Sequence, residues 1–105
     1  MRRRPTAADR RRLDRLIREC PLEGLVVSDD VPQVWFELAA EWEFVTDELV
    51  GLMSTPAADL RGRVLPRLRS LREMVIEAPT GDLQRDSLRS VERLILWVDD
   101  EGRPE

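Results

Sequence analysis

Seven apolar residues, Val31, Trp35, Leu38, Trp42, Val45, Leu49 and Leu52, recur at alternating steps of four and three without interruption. That spacing puts them on one face of an α-helix and predicts a seam three heptads long, ending at about residue 53. A seam of this length needs helical surface against it along its whole course, from the same chain or another. Its start is marked by Ser28, Asp29 and Asp30 followed by Pro32. Acidic side chains satisfy free amides at a helix N-terminus, and a first-turn proline has no amide to leave unpaired.

Three further amphipathic segments can supply the cover. Thr6, with Asp9 three residues on, has the spacing of a capping box, and Leu13, Leu16, Ile17 and Cys20 then share one helical face. Pro21 disfavours helical geometry at the residue before it, so the first helix should stop at about residue 20. Leu22 to Val27 is then a connection holding a short turn or a scrap of strand. Ser54, Thr55 and Pro56 end the seam helix and start a third, with Leu60, Val64, Leu68, Leu71 and Val75 as its core face. Gly62 and Pro66 fall inside that pattern, and an interior proline costs ~3 kcal/mol or more, which predicts a kink or break near residues 62–66. Pro79 to Asp82 forms the last turn, and Leu88, Val91, Leu94, Ile95 and Val98 stripe the fourth helix.

The expected fold is therefore all-α: a small four-helix bundle-like domain with a kinked third helix. It spans residues 1–105 as one domain, with 1–5 and 100–105 as frayed tails. Period-two alternation is essentially absent, which leaves a β alternative little support.

Composition excludes much chemistry. The chain has no histidine, no lysine and no tyrosine, and Cys20 is its single cysteine. Arginine without lysine reads first as the codon usage of a GC-rich, bacterial genome. Without histidine or lysine the usual serine and cysteine constellations and Schiff-base chemistry cannot be assembled. One cysteine and no histidine make no zinc site, and Cys20, on an apolar face, reads as a small core residue. A carboxylate-only magnesium site at Glu37, Glu41 and Glu48 is the one enzymatic arrangement to weigh. However, Glu37/Glu41 and Glu73/Glu77 are each four apart, unlike the three-residue spacing of small helical nucleotide pyrophosphohydrolases. No glycine-rich phosphate loop is present. The expectation is a protein that is not an enzyme and has no cofactor and no metal.

The N-terminus is basic, but Thr6 to Arg12 supplies charges where an export signal needs an apolar run. No segment approaches the ~20 apolar residues that span a bilayer. A cytoplasmic protein without membrane contact is expected.

The net charge of −4 hides a segregation. Residues 1–18 carry eight arginines and two acids, residues 19–59 carry ten acids and no base, and residues 60–105 carry nine of each. In one reading the basic first helix lies beside the acidic second as an antiparallel pair, which sets register more than stability, since exposed pairs contribute only ~0–1 kcal/mol. In the other reading the charge looks outward. Glu37, Glu41, Asp47 and Glu48 lie away from the seam, with Phe36, Phe44 and Ala40 among them. The two phenylalanines are either open to a partner or covered by the first or fourth helix of a bundle in which the second is central. Aromatics are enriched where proteins meet, and an acidic rim steers a basic partner.

The function expected is a protein–protein interaction module of the adaptor, small-inhibitor or immunity-antagonist kind. Its partner-binding residues would be Phe36, Glu37, Ala40, Glu41, Phe44, Asp47 and Glu48, and its partner a protein with a basic surface. The alternative is a regulatory nucleic-acid binder using Arg2, Arg3, Arg4, Arg11, Arg12, Arg15 and Arg18. Leu96 and Trp97 lie off the main stripe of the fourth helix. Such surplus apolar surface suits a homodimer.

Overall fold

The computed structural model describes residues 7–25, 29–53 and 60–101. Four helices hold most of them: α1 (Ala7–Arg18), α2 (Gln33–Met53), α3 (Leu60–Glu77) and α4 (Asp82–Glu101). They form a small helical bundle, with no strand among the described residues. None of the described helices is long and apolar enough to cross a membrane.

The seam is the centre of the bundle. Trp35, Leu38, Trp42, Val45, Leu49 and Leu52 are all buried, and Val31, just ahead of the helix, packs against the same core. Val64, Leu68, Leu71 and Val75 meet them from α3, and Val91, Leu94 and Val98 from α4. Full burial of such a side chain contributes about 1.5–3 kcal/mol, so this interior decides the fold.

The order of neighbours is α2 against α3, α3 against α4 and α4 against α1. The basic first helix therefore lies beside α4 and is not paired with the acidic α2. Leu13 and Ile17 are buried and Leu16 half-buried, while Trp97 of α4 is only 3% exposed. Burial of this apolar set outweighs what exposed ion pairs between α1 and α2 would contribute.

α1 ends at Arg18, two residues earlier than Pro21 alone predicts. Tight turns follow: the Cys20 amide donates to the Ile17 carbonyl (3.3 Å) and the Glu23 amide to that of Cys20 (3.0 Å). Gly24, at φ 67°, supplies the left-handed residue that closes them. The connection is thus a turn, with Cys20 and Leu22 buried in the core; Val26 and Val27 lie outside the described residues. So do Thr6, Ser28 and the Ser54-Thr55-Pro56 cluster, the helix starts inferred from capping patterns. Pro32 immediately precedes α2, and its carbonyl accepts from the Trp35 amide at 3.0 Å.

α3 is helical from Leu60 to Glu77 with Pro66 inside it, so of the kink or break expected near residues 62–66 the break does not occur. Pro66 stands on the exposed side, while Leu65 and Leu68 on either side of it are buried. Burying those side chains offsets the missing backbone bond. At the far end Gln84 of α4 turns back on α3. Its side-chain amide nitrogen lies within hydrogen-bonding distance of the carbonyls of Val75 (3.2 Å), Ile76 (2.9 Å) and Ala78 (3.2 Å). Its two hydrogens are thus shared among acceptors at the end of α3, where the Val75 carbonyl also accepts from the Ala78 amide at 3.1 Å. α4 continues through Asp100 to Glu101, two residues into the stretch expected to fray.

Cys20 is buried, and desolvation pushes its thiol from 9.0 up to about 11, against weaker hydrogen bonds from the Leu22 backbone and Ser90. Native protein is expected to react with a disulfide reagent near pH 8 about a hundredfold more slowly than denatured protein, because the thiolate is scarce and covered. Folding raises this pKa, so the stability the neutral thiol contributes is complete below pH 9 and is lost as pH climbs towards 11. Equal rates in native and denatured protein would place Cys20 on the surface.

Candidate functional site

α2 carries five acids and no base, and its helical repeat sorts them by surroundings. The core side is apolar apart from Thr46, whose hydroxyl donates to the Glu43 carbonyl at 3.1 Å. Directly opposite stand Glu37, Ala40, Phe44 and Asp47, all exposed. Glu41 and Glu48 are half-buried on the flank towards α3, and Phe36, also half-buried, lies on the other flank. The seven residues therefore share one helix but form two distinct environments.

The first surrounds Phe44, which is 56% exposed. Arg67 of α3 reaches across it, with its guanidinium carbon 4.6 Å from the ring centroid and Nη1 3.1 Å from Glu48 Oε2. A partly exposed cation–π contact contributes about 0.5–1 kcal/mol, and the half-exposed ion pair contributes a similar amount at most. Arg67 therefore neutralises Glu48 and lies over the ring. The counter-charge that the sequence suggested would come from α1 comes here from α3. Among the described residues Glu37, Glu41 and Asp47 have no basic partner. The uncompensated part of the rim is thus Glu37, Glu41 and Asp47.

The second environment is a groove of about 370 Å³ between α2 and the turn that follows α1. Phe36, Ala39, Ala40 and Glu43 line it from α2, and Glu23 and Leu25 from the turn. Glu23 is held in place by the buried Trp42, whose indole N–H donates to Oε2 at 2.9 Å. Sequence reasoning missed Glu23, Ala39 and Glu43. Glu43 was legible as an α2 acid next to the chosen face. Glu23 was not, because nothing in helical periodicity ties residue 23 to residue 42.

On α1, Arg11, Arg12, Arg15 and Arg18 are all exposed. Arg11, Arg15 and Arg18 share a shallow surface with Asp14 and Glu19, and Arg18 pairs with Asp14 at 2.9 Å. Arg2, Arg3 and Arg4 lie outside the described residues. No group of three or more cysteine, aspartate or glutamate side chains converges to hold a metal ion among the described residues. Glu37, Glu41 and Glu48 are accordingly not gathered as a magnesium site.

No family model, curated protein or solved structure matches the chain.

Proposed function

We propose that the protein is a non-enzymatic, cytoplasmic interaction module, an adaptor, small inhibitor or immunity-type antagonist, whose α2 face engages a protein with a basic surface. The observation that supports this reading most is the exposure of Phe44, at 56%, on a helix face whose Glu37, Glu41 and Asp47 lack basic partners among the described residues. A large aromatic at the centre of a contact, ringed by groups that exclude water, is the usual anchor of a protein interface. The acidic rim accelerates encounter with a basic partner and opposes acidic competitors. The groove at Phe36, with Glu23 and Glu43 on it, extends the same acidic-aromatic surface towards the turn. The experiment that tests this is partner capture by the Phe44→Asp protein, which is expected to keep its fold and lose the partner.

A second reading draws support from the exposed arginines of α1, a helix that packs chiefly on α4 and not on the acidic α2. In it, α1 binds nucleic-acid phosphates. Reversal of Arg11, Arg12 and Arg15 to glutamate is then expected to weaken binding to duplex DNA or RNA and to flatten its salt dependence. The log–log slope should fall by roughly 0.9 for each phosphate that is no longer neutralised. Absence of any binding by the wild-type protein at about 50 mM salt, where such attractions are strong, removes this reading.

A further inference from the structure

Leu96 is the most exposed large apolar side chain described, at 68%, although its neighbour Trp97 is buried. It stands on the outer ridge of α4 between two grooves. On the α3 side, a groove of about 600 Å³ is walled by Pro66, Ile95 and Leu96. On the α1 side, Leu96 borders a second groove with Leu16, Arg93 and Asp100. A ridge flanked by grooves is the surface that packs on another helix.

The charges beside Leu96 say which helix. Arg93 precedes it by three residues and Asp100 follows it by four, about 4.5 and 6 Å along the axis at 1.5 Å per residue. Both are exposed and lie on the α1 side of the ridge. There Arg93 Nη1 also stands 4.0 Å from Glu19 Oε2, a long and solvent-screened pair that Asp100 of a second copy can share or replace. When a second α4 is laid antiparallel across the first, with a two-fold axis at Leu96, Arg93 of each copy comes within about 1.5 Å axially of Asp100 of the other. The same operation sets Leu96 on Leu96. A parallel pair would instead bring Asp100 level with Asp100. On the α3 side the same antiparallel operation brings Glu92 near the level of Asp99 of the other copy, but Glu92 is drawn towards α3 by Arg72 at 3.5 Å and Asp99 is half-buried.

From this self-complementary pattern we infer that the chain forms a two-fold symmetric dimer through antiparallel packing of α4 about Leu96, with reciprocal Arg93–Asp100 pairs. Such an interface is isologous and closed, so assembly stops at two copies. It uses no α2 residue, and both acidic-aromatic faces stay available.

Sedimentation equilibrium of the full chain tests this. The expected mass is twice the 12.2 kDa of the monomer at micromolar concentration. Leu96→Arg is expected to give monomer with unchanged far-UV circular dichroism. Arg93→Asp and Asp100→Arg, each of which sets like charges opposite one another, are each expected to weaken the dimer about tenfold, a change of ordinary size for a single interfacial charge pair. The double variant restores the opposite pairing and with it the wild-type constant. A monomeric wild-type chain, a dimer that Leu96→Arg leaves intact, or a double variant no better than the single ones overturns the inference.

Discussion

Truncating Trp42 to alanine is expected to remove about 3–5 kcal/mol of folding stability, the range for deleting a large aromatic from a close-packed core. Trp42 is fully buried in the middle of the α2 seam, and its N–H holds Glu23, which fastens the turn after α1 to α2. A domain of this size has only about 5–15 kcal/mol in total, so the variant sits near the unfolding threshold at physiological temperature. Trp42→Phe separates the two roles. It keeps most of the ring and removes the indole donor, leaving Glu23 exposed rather than buried and unsatisfied, which costs about 1 kcal/mol for the hydrogen bond plus a modest packing loss. Urea titration of both variants provides the check. Equal losses for alanine and phenylalanine would mean that the hydrogen bond, and not the packed ring, secures this position.

Replacing Phe44 by aspartate is expected to leave stability within about 1 kcal/mol of wild type, as is usual for surface positions. The same change is expected to weaken partner binding thirtyfold or more, the about 2 kcal/mol that marks an interface hot spot. Both effects follow from the exposure of the ring. Phe44 contributes to the fold chiefly through Arg67, with which the new carboxylate can form an ion pair instead. Phe36 is the poorer probe of binding, because it is half-buried against the turn and a charge there disturbs the connection as well. A thermal melt alongside the binding measurement distinguishes the outcomes. Loss of the fold in Phe44→Asp would show that the ring is part of the core.

What the sequence made legible is what periodicity encodes. The α2 seam repeats without a break, so the residues from Trp35 to Leu52 that it picks out are core residues on spacing alone, and the stripes of α3 and α4 follow the same rule. Periodicity says that a face is covered without saying by what. The stripe of α1 therefore did not reveal that α4 covers it, and the opposite charges of α1 and α2 pointed to the wrong neighbour. Exposed ion pairs are too weak to choose a packing partner against buried leucine and tryptophan. Pro66 shows the same ranking of forces: its local cost predicts a kink or break, and with Leu65 and Leu68 buried the helix continues through it.

At the candidate site, the helical wheel set Phe36 and Phe44 among the acids but left open whether other helices cover them; Phe44 is exposed, and Phe36 is half-covered by a turn that belongs to another stretch of chain. Interactions between a turn and a helix, such as Glu23 with Trp42, have no sequence period. Gln84 capping α3 from the start of α4 is hidden for the same reason.

Recognition of a partner through α2 is tested most directly by quantitative affinity capture from the source cell's lysate. Four samples run in parallel: the wild-type chain, with and without nuclease, Phe44→Asp, and the chain with Arg11, Arg12 and Arg15 reversed. The expected result is a protein retained by wild type after nuclease and by the α1 variant, and absent with Phe44→Asp. Equal recovery on Phe44→Asp, or material that disappears only with nuclease or with the α1 reversal, would contradict it.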